Sequence, residues 1–128
     1  MKAVLGKTRA LPHLVAALLL GAWVSAAAAH ALLNKSDPAR RAVLSKPPTR
    51  VRLWFNERLE AAFSTLSVLD TNAKPVTQDP AHVSTEDPKL IELQLPPLKA
   101  GTYTVKYKVL SIDGHTVKAS YTFTIKGR

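Results

Sequence analysis

His30 and the triplet Asp113-Gly114-His115 are the residues of this chain whose types and spacing could do chemistry. His30 stands directly behind Ala26-Ala27-Ala28-Ala29. If that run closes a leader cut before His30, the histidine becomes the first residue of the mature chain. An N-terminal histidine offers a metal its free α-amine and its imidazole Nδ1, which close a chelate ring on one ion. Asp113 and His115 add a carboxylate and a second imidazole at i, i+2, and residues two apart in extended chain point the same way. Gly114 between them has no side chain to obstruct an ion. One amine, two imidazoles and a carboxylate form an N3O donor set, which suits the tetragonal preference of Cu(II).

The proton chemistry of that set is consistent. Metal ligands must be deprotonated to bind. An α-amine has a reference pKa of about 7.7–8.0, against about 10.4 for a lysine. An imidazole is mostly neutral at neutral pH, and Asp113 would be ionised and offset part of the ion's charge. Such a site should empty as pH falls. The plainer alternative is a hairpin turn with an incidental histidine, since Asp-Gly is a common turn pair. His82 reads as a solvated histidine in a polar loop, and His13 falls in the leader. Glu57 reads as surface charge at a strand end, paired with Arg58 or Arg52.

The sulfur content narrows the metal chemistry. The chain has no Cys, and its one Met is Met1. A blue-copper electron-transfer site needs a Cys thiolate and is excluded. A thioether site for Cu(I) is excluded as well, so any metal must be held by nitrogen and oxygen.

The elements that must position these donors begin after the leader. Lys2, Lys7 and Arg9 form a charged start, and residues 14–24 form an apolar run, as in a secretory signal peptide. That run is shorter than the roughly 20 residues a membrane span needs, and no second one follows, so the product is expected to be exported and not membrane-spanning. Two cleavage points fit: Ala27-Ala28-Ala29 before His30, or Ala29-His30-Ala31 before Leu32, which would discard His30. The first leaves residues 30–128, the size of one small domain. The net charge is +9, which is read as a solubility device. Arg40, Arg41, Arg50, Arg52 and Arg58 are not interleaved with exposed aromatics, and nucleic acid is not an expected partner.

Past the leader the pattern is short alternating runs separated by turn residues, the signature of an all-β sandwich or barrel. Val51, Leu53 and Phe55 alternate with Arg52 and Trp54. Residues 63–69 lead into the turn cluster 70–75, and residues 78–88 read as a loop. Residues 90–95 form a strand closed by Pro96-Pro97. Tyr103, Val105, Tyr107 and Val109 form one face of a strand, and Val117, Ala119, Tyr121, Phe123 and Ile125 one face of the last. Residues 57–62 allow at most one helical turn. About seven strands in a domain of this length match a Greek-key immunoglobulin-like sandwich. Tyr103 then reads as the tyrosine that ties down a corner, and Trp54 as a core or half-buried aromatic. In such a fold the start of the first strand can lie near the turn before the last, which would bring His30, Asp113 and His115 together.

Four segments in order resemble the CopC family of periplasmic copper-resistance proteins. They are His30-Ala31-Leu32-Leu33 with Ser36-Asp37-Pro38-Ala39, residues 53–60, Gly101-Thr102-Tyr103-Thr104-Val105, and Ser111-Ile112-Asp113-Gly114-His115. The resemblance implies an immunoglobulin-like or cupredoxin-like β-sandwich over residues 30–128 after a removed signal peptide, residues 1–29. It also implies one Cu(II) per chain, held by the amine and imidazole of His30 with Asp113 and His115. Glu57 matches a family glutamate near that site and is carried over as a candidate that orients a ligand. Arg41 stands where a glycine is expected, and Ala119 where glycine or serine is common. The Met-rich segment of a second, Cu(I) site is absent, as is a fused membrane partner. A separate inner-membrane copper transporter of CopD type is therefore the expected partner of a monomeric periplasmic protein.

Three functions remain open on the sequence. The first is a Cu(II) protein that buffers or carries copper, without turnover. The second is a copper enzyme of the kind that cleaves polysaccharides oxidatively with an N-terminal histidine. Asp113 argues against it by filling a position such enzymes keep open to oxygen. The third is a non-metal immunoglobulin-like adhesion or assembly module, which follows if processing removes His30.

Overall fold

Alternation becomes strand wherever one face of it can be buried. Val51, Leu53 and Phe55 are buried in a strand over Arg50–Phe55, while Arg52 and Trp54 face outward and are half-buried. The computed structural model describes Gly6 and residues 31–127. Apart from Gly6, the expected leader, and with it both cleavage points and His30, lies outside the described residues or at their edge.

The strands are β1 (Leu33–Asp37), β2 (Val43–Leu44), β3 (Arg50–Phe55), β4 (Thr65–Leu69), β5 (His82–Val83), β6 (Leu90–Gln94), β7 (Gly101–Leu110) and β8 (Thr116–Ile125). They form two four-stranded sheets, β1-β3-β6-β5 and β2-β8-β7-β4. All pairings are antiparallel except the short β2–β8 ladder. The chain crosses between sheets repeatedly, so the inward faces of both close one core: a two-sheet β-sandwich, as expected.

Three details differ from the sequence reading. Among the described residues there are eight strands, because β2 and β5 have only two residues each, too few for a period-2 pattern to register. His82 is therefore not in a plain loop: it pairs with Glu92 at the sheet edge. The helical turn lies later than expected, as a short 3-10 helix at Ala61–Phe63.

Val51, Leu53 and Ile91 of one sheet and Val105, Val109 and Phe123 of the other are fully buried. Each such side chain contributes about 1.5–3 kcal/mol relative to exposure. Phe55 meets Tyr107 edge-on across the core, with ring centroids 5.5 Å apart, and Tyr103 stacks on Phe123. Two tyrosine hydroxyls anchor the periphery. Tyr103 Oη donates to the Lys99 carbonyl at 2.7 Å, the expected corner tie. Tyr121 Oη donates to the Pro38 carbonyl at 2.8 Å, joining β8 to the end of β1 in the other sheet.

Arg41 has φ 60 and its amide donates to the Thr122 carbonyl at 2.7 Å. This left-handed conformation favours glycine, which explains why a glycine was expected there. Among the described residues no helix is long and apolar enough to cross a membrane.

Candidate metal centre

The β7–β8 hairpin carries Asp113 and His115 at its tip, and the tip is organised by Ser111. Ser111 is fully buried. Its amide donates to the His115 carbonyl at 2.9 Å, and the Gly114 amide donates to the Ser111 carbonyl at 2.9 Å. Gly114 adopts φ 92, a left-handed conformation that an L side chain resists. Its role is thus to let the chain reverse, beyond leaving room for an ion.

The reversal brings the two candidate donors together. His115 Nδ1 lies 3.2 Å from Asp113 Oδ1. The same oxygen accepts a short hydrogen bond from Ser111 Oγ and a longer one, 3.4 Å, from the His115 amide. Asp113 and His115 therefore meet through a tight turn and not, as the i, i+2 argument supposed, as neighbours on one face of extended chain. None of these three contacts uses Asp113 Oδ2. The Ser111 hydrogen bond, reinforced by His115, holds the Asp113 carboxyl below the usual carboxylate range against a smaller opposing effect of desolvation. The group is an anion at neutral pH, with an imidazole beside it and both partly open to solvent.

A second segment links this tip to the start of the described chain. The Ile112 amide donates to the Arg58 carbonyl at 2.9 Å, and Leu59 bridges Ser111. Two residues before Arg58, the Asn56 amide donates to the Leu32 carbonyl at 3.0 Å. Asn56 Oδ1 in return accepts from the Leu32 amide at 2.6 Å. Ala31 beside it is buried. Residues 31–32, 56–58 and 111–115 are thus stitched to one another in sequence. Glu57 sits in the middle segment and is half-buried.

Among the described residues no group of three or more His, Cys, Asp or Glu could hold a metal. Glu57 does not complete such a set with Asp113 and His115, and a third histidine or carboxylate donor would have to come from outside the described residues. Arg52, one of two cations read as a partner for Glu57, instead pairs with Asp37 at 2.8 Å. Ser111 and Asn56 were not singled out by the sequence reading. The Ser-x-Asp spacing before the turn glycine was a usable signal for Ser111. Nothing local marks Asn56, whose partner is 24 residues away.

A family model described as CopC domain matches residues 33–126. The chain is 34% identical over 119 residues to Protein YobA of Escherichia coli (strain K12), covering 92% of this chain and 96% of that one. It is similar in structure to CopC from Methylosinus trichosporium OB3b, with a TM-score of 0.71, 35% identity, and coverage of 76% of this chain and 94% of that one. It is also similar to PcoC, a methionine-rich copper resistance protein from Escherichia coli, with a TM-score of 0.65, 33% identity, and coverage of 77% and 100%.

Proposed function

Because the chain belongs to the CopC family, with a copper resistance protein among its structural relatives, we propose that it is a periplasmic Cu(II)-binding protein that buffers copper or carries it to a partner. The family supports a copper-binding role; the ligands, oxidation state and location are our reading. The observation that carries it is the Asp113–His115 pair, tied through Arg58 and Asn56 to Leu32, two residues after His30. A chain cut before His30 would then start at this end of the sandwich. The His30 imidazole would supply the third side-chain donor that the described His, Cys, Asp and Glu residues do not provide, and its amine a fourth.

In that arrangement each residue has a separate task. Ser111 and His115 hold Asp113 as an anion on one oxygen, which leaves Oδ2 to face a cation. Asp113 fixes the orientation of the His115 ring, as carboxylates commonly do for ligating imidazoles. Glu57, between the two anchored residues of the middle segment, orients the His30 end. Asn56 holds the backbone that follows His30. The bound ion is cargo, and no residue of the site is assigned a role in turnover. A methionine-rich relative offers sulfur, whereas this chain has Met only at Met1. That difference favours Cu(II) at a nitrogen and oxygen site. Delivery would go to a separate membrane transporter of CopD type, with the protein acting as a monomer after loss of residues 1–29.

The test is intact mass of the exported protein, then Cu(II) titration followed by electron paramagnetic resonance. The expected outcome is a mature start at His30 and one tight copper with a tetragonal, nitrogen-rich spectrum. His115→Ala should lose at least about tenfold in affinity, of the order seen when a metal's supporting groups are removed, and change the spectrum. A start at Leu32, or only weak and heterogeneous copper on a His30 start, would overturn the reading.

A further inference from the structure

One face of the sandwich carries lysines that pair with no carboxylate among the described residues. On the outside of the sheet β2-β8-β7-β4, Lys108 stands directly opposite Lys118 across the β7–β8 ladder, and Lys106 stands opposite Ser120. Like charges directly opposite one another destabilise a sheet. These lysines line a groove of ≈ 680 Å³, walled on one side where the turn after β4 folds back through the Leu69–Pro75 bridge. Among the described residues no Asp or Glu lines it. The one acid of the wall turn, Asp70, accepts from the amides of Asn72 and Lys74 instead. A smaller depression lined by Arg40 and Arg41 shares Ser120 with the groove and extends the positive strip.

We propose that this groove is a docking surface for an acidic segment of a partner protein. Three features favour that occupant. The cations are spread along the strand, with Lys106 and Lys108 roughly 7 Å apart and the arginines beyond, which is too extended for one small anion. The groove is concave and walled, which admits an extended chain and fits a flat lipid surface poorly. Its floor also carries hydroxyls, Thr65, Ser67 and Ser120, that can hydrogen-bond a backbone or carboxylates between the charges.

The position of the groove gives it a use. The Lys108–Lys118 pair lies two ladder positions from Leu110–Thr116, the last pair before the Asp113–His115 turn. A partner seated here would rest beside the candidate metal centre. Docking does not depend on the copper reading, whereas its use in copper handover rests on it.

The test is fluorescence anisotropy of a labelled ten-residue polyglutamate peptide against the exported protein, with and without Cu(II). Vesicles of phosphatidylglycerol and phosphatidylcholine, and inorganic phosphate, serve as comparators. K106E/K108E/K118E reverses the groove. K46E/K89E/K99E reverses three exposed lysines outside it by the same net charge. The groove variant should weaken peptide binding by about tenfold or more, the control by less than about twofold, and neither should alter the copper titration. K106Q/K108Q/K118Q should show an intermediate loss and guards against misfolding of the reversed protein. Equal losses in both reversals would overturn the proposal, as would groove-dependent binding of vesicles or phosphate without binding of the peptide. Retained peptide binding in His115→Ala would leave docking standing even if the copper site failed.

Discussion

The two outward faces of the sandwich treat their cations in opposite ways. On the sheet β1-β3-β6-β5, Arg52 is bound to Asp37 at 2.8 Å and stands opposite Glu92 in the ladder. Trp54 lies between two cations, with Lys35 Nζ 4.7 Å and the Arg52 guanidinium 5.0 Å from its ring. Charge on this face is absorbed locally, by a carboxylate and by an aromatic quadrupole. On the sheet β2-β8-β7-β4, Lys106, Lys108 and Lys118 are exposed around a groove that no acid among the described residues lines. Both faces sit on the same core, so burial does not account for the difference. A face whose charges are matched within the fold has little left to offer a partner. The other face keeps its charge available, next to the hairpin tip that carries Asp113 and His115.

Because the two faces share a core, the largest effect should abolish both together. Phe123 is fully buried and stacks on Tyr103. Phe123→Ala should cost about 3–5 kcal/mol and lower the urea midpoint in one transition. If tryptophan fluorescence from Trp54 and far-ultraviolet circular dichroism separated into two transitions, the sheets would be independent and the comparison would lose its basis.

A smaller effect tests the tie between the sheets. Burial pushes the Tyr121 hydroxyl up to about 12, against an ordinary value of about 10. The folded chain therefore holds this proton more tightly than the unfolded chain does. Its contribution is fully present below pH about 10 and is lost as pH rises toward about 12, amounting to about 2–3 kcal/mol over that window. Tyr121→Phe should flatten this part of the stability profile. At neutral pH the variant should cost about 1–2 kcal/mol by leaving the Pro38 carbonyl without its donor. An unchanged alkaline slope in Tyr121→Phe would assign the loss to other groups.

What was legible in the sequence follows from how far each interaction reaches. The inward faces of β3, β7 and β8 are long enough for alternation to name every core residue on them. Tyr103 was readable because a corner tyrosine bonds four residues back, to Lys99. Arg41 stood out only through the family resemblance, which puts a glycine there; the positive φ that accounts for it is a structural finding. β2 and β5 were not readable, since two residues carry no period and pairing partners decide them. At the candidate site the donors Asp113 and His115 were readable as residue types, but not the way they meet. Their contact depends on Gly114 reversing the chain and on a buried Ser111. The stitching of Leu32 to Asn56 and of Ile112 to Arg58 is tertiary and leaves no local trace.

The finest test sets the two faces against each other directly. Arg52→Ala removes a partly exposed ion pair and part of the packing around Trp54, and should destabilise by about 0.5–1 kcal/mol, the upper part of the range for such pairs. Lys118→Thr removes a cation that faces another cation, and places a β-branched residue on an exposed strand position. It should stabilise by a few tenths of a kcal/mol, since opposed like charges cost roughly 0.2–1 kcal/mol. Thermal denaturation should therefore shift in opposite directions for the two substitutions, and both shifts should shrink as salt is raised. Two destabilising results would mean that Lys118 already has a stabilising environment on its own face. The idea that its charge is held available for a partner would then lose its physical ground.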